Sequence, residues 1–498
     1  MKSILTLAAA GSMFAGLSIA QQTPHYTVTD LGTPGLGGNF SLAFVVIEDG
    51  TVAGLASLPN GKQHAALWQK GLIKDITTPE QAGLNSVANG INERGQASAQ
   101  AEISEKDPNN ENFCLYGTGL RCLPYMWEKG VMRQLPLPKG GQNGITFNIN
   151  NRGEIVGIAE NGTRDPECPA GLARTGTGPQ VLDFQAVVWG PKAGDIRELR
   201  PAAGDKVGLG MWINDSGQVV GGSGSCANTI LPPIAAGVHA LLWERDGTPT
   251  DLGNLGGDGI EDITLPGIGN IALYISNNGQ VTGGSALPGN KIAHPFLWTR
   301  EKGNDCAPTG LNGCMRDLGL LPGDVLGASL AVSEDGTVVG TSVDATGGQR
   351  AFLWKNGVMS DLNTLIPSGS PFASLWFASA INSRGEIVGY GLTNGGDVHG
   401  FLAVPAGTTA SAGPKNSTVI ARQITLDGTA SFSADGKPLT YQWSIPQGSP
   451  QAAILHGTTA TPEVQFASGR NVYTFQVTVT DSTGTSASDL VTVNFQGN

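Results

Sequence analysis

Apolar and polar residues alternate along this chain in short runs broken by glycine-bearing turns, the period of two expected of strands and not the 3.6 of helices. One run recurs. Val332-Ser-Glu-Asp-Gly-Thr-Val-Val-Gly340, Ile381-Asn-Ser-Arg-Gly-Glu-Ile-Val-Gly389, Ile149-Asn-Asn-Arg-Gly-Glu-Ile-Val-Gly157 and Ile213-Asn-Asp-Ser-Gly-Gln-Val-Val-Gly221 are copies of one another. Val46 to Gly54, Ile91 to Ala99 and Ile275 to Gly283 are weaker copies. Each copy sets one glycine (Gly50, Gly95, Gly153, Gly217, Gly279, Gly336 or Gly385) between two alternating stretches, which predicts a β-hairpin.

A second run follows each hairpin and ends in tryptophan: His64 to Trp68, Leu123 to Trp127, Gln185 to Trp189, His239 to Trp243, His294 to Trp298 and Arg350 to Trp354. The seventh, His399-Gly-Phe-Leu-Ala403, has alanine in the tryptophan place. Gly50 to Trp68, Gly336 to Trp354 and Gly385 to Ala403 each span 18 residues, whereas repeats two, three and four carry insertions at 100–122, 158–184 and 222–238. A third element closes the unit, as in Lys74-Asp-Ile76, Asp251-Leu252, Asp317-Leu318 and Asp361-Leu362. The unit therefore has four strands, a to d. Such a sheet cannot bury its own faces, and repetition about an axis supplies the missing partner. The expectation is an all-β chain in which residues 25–404 form a seven-bladed β-propeller. The seventh repeat ends without a strand d, and His25 to Gly32 looks like one. That N-terminal strand is expected to complete the last blade.

The hairpin motif, the His-Ala-Phe-Leu-Trp-like strand and the run Asp251-Leu-Gly-Asn-Leu-Gly-Gly257 resemble the bacterial extracellular repeats called the HAF family, over roughly residues 25–404. The resemblance implies an extracellular repeat protein and brings no catalytic residues with it. Beyond 404 the pattern changes. Residues 405–417 have the composition of a flexible linker. Residues 418–498 carry short alternating strands around Trp443 and predict an immunoglobulin-like β-sandwich. Leu426-Asp-Gly-Thr-Ala-Ser431, Pro438 to Trp443 and Phe475 to Asp481 resemble PKD and REJ-type modules of secreted bacterial proteins.

Composition sharpens this picture. The chain has 73 glycines and only 14% charged residues, which suits a turn-rich β-protein. Its net charge is −12 and no Lys/Arg cluster interrupts the acidic background, which argues against nucleic acid as a partner. Lys2, the apolar stretch Ile4 to Ile19, and Ser18 and Ala20 before a cleavage point read as a signal peptide over residues 1–20. That predicts export to the extracellular space or the periplasm. No later stretch is long and apolar enough to span a membrane. Export permits disulfides. Cys114 and Cys122, and likewise Cys306 and Cys314, are eight apart and predicted to close local loops. Cys168 and Cys226 are then left to bridge adjacent blades.

The recurring His64, His239, His294 and His399, the six repeat tryptophans, and Asp30, Asp75, Asp251, Asp317 and Asp361 would form wide rings rather than one cluster, so they read as structural. The three insertions crowd one face, where Asp258, Glu261 and Asp262 are the densest acidic group. These three could be general acid/base carboxylates, calcium ligands or a solvated loop. No Ser-His-Asp order, phosphate loop, His-Glu-x-x-His or Cys-x-x-Cys motif appears in the sequence. The reading is a secreted, non-catalytic protein for adhesion, scaffolding or ligand binding, with an extracellular polymer (glycan) or protein as partner and no cofactor beyond possible calcium. The alternative is a carbohydrate-active or lyase propeller enzyme.

Overall fold

The computed structural model describes residues 25–168, 179–192, 194–229, 237–259, 269–301, 303, 305–433, 438–467, 469–482 and 484–497. The expected signal peptide at 1–20 lies outside them. The chain is all-β with almost no helix; short 3-10 turns occur at Pro79–Gln81 and Leu362–Thr364. Among the described residues no helix is long and apolar enough to cross a membrane.

Strands a to d of the first repeat are Ser41–Val46, Val52–Ser57, Gln63–Gln69 and Leu72–Asp75, paired antiparallel in sequence order. Repeats two, three and four build the same four-stranded sheet. Repeats five and six do so as well, and a single parallel pair, Ala293 with Leu326, joins them. In repeat seven the strands Phe372–Ile381, Ile387–Thr393 and Val398–Ala406 take their fourth partner from the other end of the chain. His25–Asp30 runs antiparallel to Val398–Ala406, with His25 opposite Ala406 and Asp30 opposite Phe401. Among the described residues no sheet closes on itself.

The hairpin glycines explain themselves. All seven hold positive φ, from 70° at Gly95 to 83° at Gly50, a region a side chain rarely adopts. Strand a departs from simple alternation. In every repeat its register with strand b slips by one residue at an equivalent place, at Phe44, Asn89, Phe147, Met211, Leu273, Leu330 and Ser379, and repeats six and seven slip at further places as well. Such a bulge re-aims side chains and bends the strand.

Successive sheets pack face to face. Strand a of each repeat touches strand a of the next, and Phe372–Ile381 of repeat seven touches Ser41–Val46 of repeat one. Trp68, Trp189, Trp243 and Trp298 are buried between sheets. The indole N–H groups of Trp68, Trp189 and Trp243 donate to the carbonyls of Leu31, Pro136 and Arg200 at 3.1, 2.7 and 2.6 Å. Each acceptor lies just beyond strand d of the preceding sheet, so one side chain supplies both apolar burial and a directed bond. The asparagine of the Ile-Asn motif does the same from strand a. Nδ2 of Asn92, Asn150 and Asn214 donates to the carbonyls of Asn150, Asn214 and Ser276 at 2.9, 3.0 and 3.1 Å. Asn382 donates to Ile47 at 3.3 Å, joining the seventh repeat to the first.

The C-terminal residues form a separate core around Trp443, Tyr473, Phe475, Val477, Val493 and Phe495. Trp443 donates to the carbonyl of Thr459 at 3.1 Å. The segment 405–417, expected as a flexible linker, is tied down. Thr408–Thr409 pairs with Phe432–Ser433, Ala410 and Ala412 are buried in this core, and Lys415 pairs with Asp489. The small residues that read as linker are the ones that allow close packing here.

Deletion of residues 25–32 should expose the edge of Val398–Ala406 and empty the places of Tyr26 and Val28, both buried. Each buried side chain of this size contributes about 1.5–3 kcal/mol. Thermal unfolding should show a large fall in Tm for the truncated chain. An unchanged Tm would mean that the N-terminal strand does not hold the last sheet.

Candidate ligand-binding site

Two ends of the repeat array carry chemistry. At the first, the insertions between strands b and c begin as extensions of those strands: Ala97–Lys106 and Leu120–Glu128 in repeat two, Ile155–Arg164 and Leu182–Trp189 in repeat three. Beyond them the chain folds around carboxylates. Glu102, Glu111 and Glu160 are fully buried and Asp107 nearly so. Among the described residues none of the four is paired with a basic group; amides hold them instead. Asn143 Nδ2 donates to both Asp107 Oδ2 (2.8 Å) and Glu160 Oε2 (3.1 Å). Gln180 Nε2 donates to Glu111 Oε1 (3.2 Å) and Glu160 Oε1 (3.1 Å). The backbone N–H groups of Val181 and Leu182 donate to Glu111, and those of Gln142 and Asn143 donate to Glu160. This network binds the insertion of repeat two to that of repeat three.

Burial, and then the charge of Glu111, pushes the Glu160 carboxyl up to about 9. Burial raises Glu111 as well. Disulfides complete the clamp. Cys114–Cys122 closes the repeat-two insertion, and Cys168–Cys226 joins the insertions of repeats three and four. Cys306–Cys314 closes the turn before strand d of repeat five. The insertion 100–122 is more than a surface loop: Glu111, Phe113 and Cys114 are core residues, and shortening this segment would open a cavity.

The recurring histidines find carboxylates that sequence spacing did not single out as their partners. Nδ1 of His64, His294 and His399 lies 2.7, 2.8 and 2.9 Å from Asp75, Asp317 and Asp30, each on the strand d of its own sheet. His239 turns instead to Asp205 at 2.8 Å. The four pairs stand apart and do not converge. Among the described residues the one group spaced for a metal ion is Cys168, Asp183 and Cys226, whose two thiols are joined in a disulfide. Asp258 is exposed and accepts a hydrogen bond from Asn290. Glu261 and Asp262, the other candidates for an acid pair or calcium, lie outside the described residues.

At the opposite end, the seven a–b hairpins surround a cavity of about 200 Å³. Its rim is the residue after each motif asparagine or its equivalent. Glu48, Glu93, Asn151, Asp215 and Asn277 each donate a backbone N–H to the rim side chain of the next repeat, at 2.7 to 3.0 Å. Ser383 donates to Glu48 at 2.9 Å, linking the last repeat to the first. Below the rim lie Trp212 and Tyr274, ring centroids 4.5 Å apart, with Asn148 beside them in the equivalent position of strand a. Sequence reasoning missed this site. The acidic residue recurs in the first variable position of the motif, but its inward aim depends on the strand a bulge.

A family model of the PKD domain matches residues 412–495, and this segment is a PKD domain. No curated protein matches the chain. Among solved structures, the PKD domain of the KIAA 1837 protein is 27% identical over 19% of this chain and 89% of that one, with a TM-score of 0.16. The extracellular domain of a hybrid two component system from B. thetaiotaomicron is 11% identical over 96% of this chain and 58% of that one, with a TM-score of 0.37. A SusE-like surface located polysaccharide binding protein from Bacteroides thetaiotaomicron is 14% identical over 62% of this chain and 45% of that one, with a TM-score of 0.14. None of these similarities is high enough for a shared fold or activity to follow.

Replacing Glu160 with glutamine tests the buried network. The folded protein keeps on Glu160 a proton that the unfolded chain releases above about 4.5, so stability should fall as pH rises from there toward about 9. The slope is at most about 1.4 kcal/mol per pH unit. Glu160→Gln removes this titration, and its Tm should fall less between pH 6 and pH 9 than that of the wild type, as scanning calorimetry would show. Parallel curves would mean that Glu160 is ionised in the fold.

Proposed function

We propose that residues 25–404 form a seven-bladed β-propeller that works outside the cell as a non-catalytic binding or scaffold protein, exported by the signal peptide at 1–20 and followed by the immunoglobulin-type module at 418–498. In this reading it engages an extracellular polymer or partner protein through the face built by the b–c insertions. The observation that carries the reading is the construction of that face. In its described part the buried carboxylates are held by amides and the segments by disulfides, while Glu105, Lys106 and Arg164 are exposed. Three disulfides suit an oxidising compartment.

The cyclic order of strand contacts and the bonds from repeat seven to repeat one support a closed ring of blades. HAF-type membership of the repeats is proposed on the recurrence of its asparagine and tryptophan positions, which join neighbouring sheets here, and of its His and Asp-Leu positions, which pair within one sheet. The PKD domain would space the propeller from other modules or add a second weak contact by raising effective concentration.

The test is a glycan and matrix-protein binding screen on the secreted chain, repeated with Glu105→Ala, Lys106→Ala and Arg164→Ala combined. These side chains are exposed on the insertions. Binding should weaken by about tenfold or more, as for loss of contacts worth about 1.4 kcal/mol in total, with Tm unchanged. Polysaccharide cleavage that disappears in Asp258→Asn or Glu261→Gln, with folding intact, would instead establish the enzyme.

A further inference from the structure

The axial cavity at the a–b end is a second site, and it does not depend on the insertion-face reading. Four carboxylates, Glu48, Glu93, Asp215 and Glu334, stand around it. Among the described residues none of them forms an ion pair. The cation that bears on Glu93 is Arg384, which is itself bonded to Glu386. Burial, and then the charges of Glu334, Glu48 and Asp215, pushes the Tyr274 phenol far above its ordinary range, and all four residues line the same cavity. The floor supplies a different kind of group. Trp212 and Tyr274 are only partly buried and line the cavity with ring surface. Asn148 also lines it, is 4% exposed, and has no hydrogen-bond partner for Oδ1.

We infer that this cup binds a primary ammonium group on an alkyl chain, as carried by a lysine side chain of a partner or by a free alkylamine. Each element has a part in this. The carboxylate ring sets a negative potential over the mouth. Aromatic faces attract a partly desolvated cation and its methylene groups. Asn148 Oδ1 is an acceptor in need of an N–H donor, which a primary ammonium has and a quaternary one lacks. A bare divalent ion fits less well. The rim carboxylates each have an oxygen held by a backbone N–H or rim amide, as at Glu48, Glu93, Asp215 and Glu334. Among the described residues no three of them have ligand oxygens within 4.8 Å of one another, whereas oxygens each about 2.3–2.6 Å from one calcium ion crowd to about that separation.

The experiment titrates the full-length secreted chain with n-butylammonium, Nα-acetyl-lysine methylamide, tetramethylammonium and calcium, following tryptophan fluorescence and calorimetric heat. The first two should bind saturably. Their relative affinities distinguish a peptide lysine from a free amine as the source. Tetramethylammonium should bind more weakly than n-butylammonium, and calcium should not compete. Glu334→Gln and Asn148→Leu should each weaken n-butylammonium by about tenfold, while circular dichroism and Tm report folding. Should either variant unfold, Glu93→Gln at the exposed rim serves in its place and should weaken binding by several-fold. Absence of saturable n-butylammonium binding, equal affinity in the folded variants, or displacement by calcium would overturn the assignment.

Discussion

A sheet of four short strands has two apolar faces and no partner of its own for either. In this chain that deficit is met by the sheet before and the sheet after, and the rest of the architecture follows from it. Tryptophan at the end of strand c fills the space between sheets, and its indole N–H reaches a carbonyl of the preceding one. The motif asparagine reaches a carbonyl of the following one. Repeats three and four carry both of these bonds, one toward each neighbour, as well as burial; the other repeats make one or neither, and the Trp298 N–H turns to Leu311 of its own repeat. The terminal repeats have the same need, and it is met by contacts between them: Asn382 with Ile47, Gly400 with Ser41, and the strand His25–Asp30 in the last sheet.

Function is then free to vary where the repeat is interrupted or where its variable positions point. The described parts of the insertions have two features that suit the binding surface proposed for them. They hold their own interior with buried carboxylates, amides and disulfides, and they leave their outer side chains to solvent. The axial cup is economical by comparison. It arises from two positions of the repeat, the rim residue of the a–b turn and the strand a residue after the bulge, as at Asn148, Trp212 and Tyr274.

The repeat count, the strand identities and the disulfide partners could be read from the sequence, because each rests on a local rule. Gly50 and its six equivalents sit at positive φ, so they recur as glycine. Cys114 and Cys122 are near in sequence, which leaves Cys168 and Cys226 for each other. The rest depends on contacts between distant residues. His399 and Asp30 are 369 residues apart, and although the N-terminal strand is expected in the last sheet, neither residue's sequence context marks the ion pair between them. Nothing local marks Glu111 and Glu160 as buried, because the amides that hold them belong to Asn143 and Gln180, which no spacing connects to them. Segment 405–417 reads as a linker since alanine, glycine and serine serve equally for flexibility and for close packing. The cup was hidden because an extra residue such as Phe147 or Met211 shifts the alternation by one and reverses which side chains face inward.

The central claim is that the seven sheets form one closed unit in which the first and last repeats are as well supported as those between. Native-state hydrogen exchange measures this directly. A closed ring predicts that the amides of Val28 and Asp30, of Gly400 and of strands a and b in repeats one and seven exchange with the same free energy as their equivalents in repeats three to five, through one global opening. Lower protection that decreases toward repeats one and seven, as at the fraying ends of an open array, would contradict it.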